Sequence, residues 1–290
     1  MSDTSLVLRT CNSDLTSYRN FKWPESGYVE APDWYPNAAC GRGLHGLLWG
    51  EGDGGYLDNG HYSKWLVVEV KNKNIIDLGG KIKFPNGNVV HCGNRRSATN
   101  YIHANGGHEK RICFLQITQH ADNARVYGGR SSRIHVLNHS QVYTDQLSSV
   151  SAQDHGLLDV GYESRVKCDN NCQVQIRGGS DIHCGNNCVV HIGPRCFVYC
   201  GANCQLIRSS ELDMLGCEIT AGKDCKIEVG EGSVVRAGSG STIDFCGSKS
   251  GCRVSCLVKS GPGPNQLEPN LPYVMTKNRV VAVPDSNYHE

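Results

Sequence analysis

Val160-Gly161-Tyr162-Glu163-Ser164-Arg165-Val166-Lys167 is one unit of the repeat that decides the fold. Around it, Cys168, Cys184 and Cys200 fall sixteen residues apart, as do Cys172, Cys188 and Cys204, and Asn171, Asn187 and Asn203. Inside the sixteen runs a period of eight, seen again in Ala237-Gly238-Ser239-Gly240-Ser241-Thr242-Ile243-Asp244. With His120 as position 1, the frame is unbroken through Ile207. It slips by five within Arg208–Thr220, resumes at Ala221, slips by three at Phe245–Gly247 and resumes at Ser248. Over these 15 octads position 5 is always small (Ser132, Gly156, Cys172, Ser241). Position 7 is always branched aliphatic (Val126, Ile134, Leu158, Val166, through to Val254). A fixed period with invariant columns marks a repeat architecture.

Positions 5 and 7 are two apart and so point to one side of a short strand. That side faces inward, and position 1 is often apolar or small as well (Val136, Ala152, Ile176, Cys184). Positions 2 to 4 are rich in Gly, Asn and Asp, which tolerate the positive φ of turns. Each octad is then a strand and a corner, two octads close a flattened 16-residue coil, and coils stack at about 4.8 Å. No coil can bury its face without its neighbours.

The octads resemble those of bacterial ice-nucleation proteins, whose unit reads roughly A-G-Y-G-S-T-x-T. Ala237–Asp244 and Val160–Lys167 carry the likeness, which covers about half the chain. It implies a β-solenoid (β-helix). Ice-organising arrays present Thr at positions 6 and 8, whereas those outward positions here are mixed, as in Arg165/Lys167, Asp181/His183 and Phe197/Tyr199. The architecture therefore carries over and the activity does not.

Successive octads of such a coil lie on opposite faces. Tyr127, Tyr143 and His191 then share one face, and His135, His183 and Tyr199 the other. These six, all at position 8, are the candidate binding residues, with a solvated sheet surface as the plainer alternative. The pairs Cys168/Cys172, Cys184/Cys188 and Cys200/Cys204 have the look of zinc ligands. Their spacing is nevertheless that of the repeat, and the same column elsewhere holds Ser or Ala, which fits a ladder of small core fillers. No metal site is expected, and cross-coil disulfides stay an alternative, because a Cα spacing of about 4.8 Å falls within the disulfide range.

Residues 1–118 lack the octad and read as an α+β capping domain. Leu6–Thr10, Trp65–Val70, Val89–Cys92 and Ile112–Ile117 are candidate strands, the last leading into the first coil as a cap. The stretch Cys40-Gly41-Arg42-Gly43-Leu44-His45-Gly46, followed by Trp65–Val70, resembles an uncharacterised bacterial and phage domain family with a C-x-R-G-L-H core. The resemblance covers roughly Leu8 to Phe84 and implies no known activity, but it implies a bacterial or phage origin. Arg9, Gly41–His45 and Leu66–Val70 are also similar to slots of the ADP-ribosyltransferases. That similarity implies NAD as a cofactor and Arg9, His45 and Glu109 as catalytic residues, with Glu109 as the charge-stabilising acid. On the residues alone, Gly41, Gly43 and Gly46 make a tight turn and His45 is a satisfied polar side chain. Walker, G-x-S-x-G, H-E-x-x-H and Rossmann patterns do not occur.

The bulk numbers bound the partners. The 290 residues carry 29 basic and 28 acidic side chains, which disfavours nucleic acid. No apolar run of 18 residues and no signal peptide is evident, so no membrane span is expected, and the 16 cysteines read as cytoplasmic thiols. After Lys259 come Pro262, Pro264, Pro269, Pro272 and Pro284, a linker-like tail in which Arg279–Val283 could add one capping strand. The expected organisation is an α+β domain over 1–118, an all-β solenoid over 119–260 and a tail or cap over 261–290. The expected role is non-enzymatic recognition of a protein partner by rigid solenoid faces, without a cofactor. The alternatives are a transferase using NAD, and a rod that self-associates through its open ends or organises ice.

Overall fold

The computed structural model of the chain describes residues 3–119, 121–208, 216–230, 233–245, 253–256, 272–276 and 279–282. It divides into two compact units, Met1–Thr118 with Val126–Ile134, and Gln119–Arg125 with His135–Glu290. Among the described residues no helix is long and apolar enough to cross a membrane.

The first unit is built on seven strands: β1 (Thr4–Cys11), β2 (Gly27–Glu30), β3 (Leu44–Leu48), β4 (Lys64–Lys71), β5 (Ile76–Asp77), β6 (Ile82–Phe84) and β7 (Asn86–Gly93). They form one antiparallel sheet in the order β2-β7-β4-β1-β3-β6-β5. Continuous apolar runs mark strands covered on both sides. Accordingly Leu66, Val67 and Val68 of β4 and Val7 and Leu8 of β1 are fully buried at the centre. On one face Val7, Trp23, Leu66, Val68, Phe84 and Val89 make a single core cluster. Helix α1 (Arg95–Ile102) begins in a capping box, Asn94 accepting from the Ser97 backbone N–H. It packs Ala98, Thr99 and Ile102 inward beside β1, β4 and β7.

Two expectations for this unit are corrected. Ile112–Ile117 is not one strand: only Gln116–Thr118 is extended, and Phe114 takes a left-handed φ of 60°. Ile112, Cys113 and Leu115 are instead a buried plug, with Ile112 bridged to Gly128 and Phe114 N–H bonded to the Arg130 carbonyl. An apolar run of this length does not distinguish strand from plug. Gly46 is also not in the turn. Gly41 and Gly43 are, with φ of 94° and 152°, but Gly46 lies inside β3, where a Cβ would meet Val7 Cγ1 at 2.5 Å. Its role is close approach of β3 to β1.

The second unit is the solenoid of 16-residue coils. One parallel sheet runs Gln141–Thr144, Leu157–Val160, Gln173–Ile176, Val189–Ile192, Gln205–Arg208, Lys226–Val229 and Thr242–Phe245. The other runs Ser149–Ala152, Arg165–Cys168, Asp181–Cys184, Phe197–Cys200, Glu218–Ala221, Val234–Ala237 and Arg253–Cys256. Each strand covers positions 6, 7, 8 and 1, with 7 and 1 inward and 6 and 8 outward, as in the alternation of Arg165–Cys168. Position 4 is left-handed wherever it is described, including at Leu147, Glu163 and Arg195. Corners are stitched by side chains reaching one coil along. Asn186 N–H donates to Asn170 Oδ1 at 2.8 Å and Ala202 N–H to Asn186 Oδ1 at 2.7 Å. Buried Ser180 accepts from Ser164 N–H at 3.0 Å.

The five-residue slip is an insertion, because Glu218 pairs with Phe197 rather than with a residue sixteen away. The frame resumes earlier than Ala221: Cys217, Ile219 and Ala221 already fill positions 5, 7 and 1. The three-residue slip is confirmed by Arg253 pairing with Val234. Arg279–Ala282 is a strand, but it pairs with Pro272–Thr276, which lies antiparallel to Arg253–Cys256. Part of the tail read as linker is therefore a hairpin. Pro262, Pro264, Pro269, Val283 and Pro284 lie outside the described residues.

Candidate functional sites

In the first unit, β1, β3 and the loop before β3 enclose a cavity of about 860 Å³ lined by Arg9, Trp23, Arg42, His45, Tyr56 and Lys81 among others. The Arg9 guanidinium lies over the Trp23 ring at 4.0 Å. It donates from Nη1 to the His45 carbonyl at 3.2 Å and from Nη2 to the Thr10 carbonyl at 3.1 Å. Burial lowers the Arg9 pKa to about 10, so it stays charged at neutral pH. Burial, and then the nearby cations Lys81 and Arg9, lower the His45 pKa to about 4. A neutral imidazole fits the contact in which His45 Nε2 accepts from Gly41 N–H at 3.4 Å. Lys83 is fully buried, and its ammonium donates to Asn37 Oδ1 and the Ala39 carbonyl, both at 2.9 Å, pinning the loop that carries Cys40. Sequence reading passed over Lys83, because a lysine on a short strand normally faces water.

Arg9 and His45 thus meet at one cavity. Glu109 is exposed, in a turn after the π-helical segment His103–Gly107, and is not among the lining residues. Asp33 is an acid that does line the cavity. Mixed cations and aromatic faces suit an anionic or aromatic ligand by chemistry alone.

In the second unit the outward columns are continuous. One sheet presents the row Ser149, Arg165, Asp181, Phe197, Glu218 and Val234 beside the row Ser151, Lys167, His183, Tyr199, Thr220 and Arg236. His183 and Tyr199 are register partners, their rings stacked at 4.7 Å and 12°. Phe197 and Tyr199 are 44% and 47% exposed. Arg165 and Asp181 pair across coils at 3.5 Å. His135 lies three coils from His183 by register on this side. On the other sheet Tyr143 aligns with Asp159, then Gln175, then His191, so Tyr143 and His191 share a row three coils apart. Tyr127, on Arg125–Gly128, is half-buried and belongs to the first unit.

The described cysteines are free thiols. One corner of the coils gathers seven of them. Position 1 supplies Cys168, Cys184 and Cys200, and position 5 supplies Cys172, Cys188, Cys204 and Cys225. The sulfurs of Cys168, Cys172 and Cys188 lie within 4.8 Å of one another, as do those of Cys184, Cys188 and Cys204, and of Cys200, Cys204 and Cys225. Position-5 thiols also donate to the coil below, Cys188 to the Asp169 carbonyl and Cys204 to the Gly185 carbonyl, both at 3.3 Å. Thiol hydrogen bonds, that of Cys168 foremost, hold Cys188 down to about 4, and the bond to Cys184 lowers Cys204. Cys172 is pushed up to about 12, again chiefly through Cys168. The columns of this cluster were visible in the sequence. Their meeting at a single corner needed the coil.

A family model for a domain of unknown function (DUF7666) matches residues 5–104, which span β1 to α1. The resemblance of the N-terminal domain to an uncharacterised family is thereby supported, and none of the comparisons supports the transferase similarity. The chain is similar to an ice nucleation protein of Pseudomonas syringae, 41% identical over 104 residues, or 35% of this chain and 9% of that one. It is 40% identical over 102 residues to an ice nucleation protein of Xanthomonas campestris pv. translucens, covering 34% of this chain and 6% of the relative. It is 37% identical over 102 residues to ice nucleation protein InaU of Pantoea ananas, covering 34% and 10%. The chain thus spans at most about a tenth of the length of these relatives. No solved structure matches.

Proposed function

We propose that the chain is a non-enzymatic scaffold whose solenoid presents a flat, pre-ordered sheet face to a protein partner. The observation that carries this reading is the composition of the outward rows: aromatic, cationic and acidic side chains at fixed spacing, centred on Phe197, Tyr199 and His183. Exposed aromatics flanked by charge are typical anchors of protein interfaces. A sheet already ordered by its ladder loses little entropy on binding. The test is quantitative affinity capture from the source cells with wild type and Phe197→Ser/Tyr199→Ser. The reading expects a defined protein retained by wild type and lost from the variant. Equal capture by both would refute it.

A second reading is favoured by the names of the relatives: a solenoid face that organises ice. Against it, no outward column among the described residues repeats one small hydroxyl side chain, and neighbouring coils place Arg165, Asp181 and Phe197 in one row. That reading requires the protein to raise the freezing temperature of water droplets.

A further inference from the structure

The thiol corner is more than a column of small fillers. Filling alone is met elsewhere by other residues. Position 5 holds buried Ser148, Ser164 and Ser180, and position 1 holds Ala152, Ala221 and Ala237. At the opposite corner Cys196 donates to the Arg177 carbonyl at 3.4 Å, and position 1 there is Ile176 and Ile192. Among the described residues, only at this corner do thiols occupy both columns. Each position-1 sulfur then sits between the position-5 sulfur of its own coil and that of the next. Three triads result, linked through Cys188 and Cys204, which each belong to two.

We propose that this corner binds soft, thiophilic d10 metal cations, with Cys188 and Cys204 as bridging thiolates. Such ions prefer sulfur to nitrogen or oxygen donors. The geometry is close to what they need. A triangle with sides at the 4.8 Å limit places its centre about 2.8 Å from each sulfur. Closing to a metal–sulfur distance of about 2.3 Å takes about half an ångström of side-chain rotation. Each ligating thiol gives its proton to solvent, so three thiols and one divalent ion yield a tris-thiolate of charge −1 and three protons, with no change of oxidation state. Sharing sulfurs between neighbouring ions lowers the negative charge held per metal in the buried corner. Cys200 is half-buried and offers a route inward.

The test uses full-length protein with thiols kept reduced, and cadmium as the probe, added both to folded protein and during refolding. The expected result is at least one tightly held cadmium ion per chain with the ultraviolet sulfur-to-cadmium charge-transfer band. In the variant Cys184→Ala/Cys188→Ser/Cys204→Ser the band is expected to be lost. Those side chains already occupy the same columns in neighbouring coils, so the variant should keep its β-sheet circular dichroism and cooperative melting. If wild type shows no band by either route, or if the triple variant keeps the band at full strength, the proposal is overturned. A variant that unfolds is replaced by Cys188→Ser alone, which must still reduce the cadmium bound.

Discussion

A leucine in the left-handed region carries a steric cost, because its Cβ crowds the following carbonyl. Leu147 has φ 61° and is 40% exposed, so its side chain returns little packing for that cost. The equivalent corners at 171, 187 and 203 use asparagine. Leu147→Asn is therefore expected to stabilise the protein by about 1 kcal/mol in denaturant unfolding. A lower midpoint would contradict the assignment of that corner. His45 makes the opposite kind of statement. Its folded-state pKa of about 4 lies below the ordinary 6.5, so the unfolded chain binds more protons between those values. Stability from this group is complete above about pH 6.5 and is lost as pH falls towards 4. NMR titration should find the imidazole neutral at pH 6. A protonated His45 at that pH would mean the cavity is wetter than described.

At the scale of elements, Gly46 fixes how closely β3 approaches β1. An added methyl would press on Val7 and on the Leu8 carbonyl at 2.7 Å. Gly46→Ala should cost about 1–3 kcal/mol of stability, the range for overpacked sites. The corner ladder is subtler. Asn186→Ala removes the acceptor for Ala202 N–H, and a loss of about 1 kcal/mol is expected from chemical unfolding. The solenoid strands were legible because burial falls on positions 5, 7 and 1, which a period of eight exposes directly. The first unit was only half legible. β1, β4 and β7 announce themselves by apolar runs, whereas Gly27–Glu30 and Ile82–Phe84 are too short to show a pattern. Helix α1 (Arg95-Arg96-Ser97-Ala98-Thr99-Asn100-Tyr101-Ile102) has few apolar residues, and its start is marked only by the Asn94–Ser97 box. Of the candidate site, the outward rows followed from the period. The Arg9–His45 cavity and the convergence of seven thiols depend on tertiary approach, which spacing alone does not reveal.

At the scale of the whole molecule, the chain has a domain that a family model of unknown function matches and a solenoid, with similarity to ice nucleation proteins of which the match covers about a tenth. What separates the two readings of the solenoid is the uniformity of its faces. Ordering water needs the same small polar group at every step, while recognising a protein needs different groups at defined places. The rows through Arg165, Asp181 and Phe197 and through Lys167, His183 and Tyr199 change side chain at every step, as the proposed reading requires. Droplet-freezing temperature of the purified protein, measured across a wide concentration range against buffer, tests this directly. The account predicts that droplets with protein freeze at the temperature of buffer alone. A concentration-dependent rise in freezing temperature, abolished by changing outward residues of one face, would contradict it.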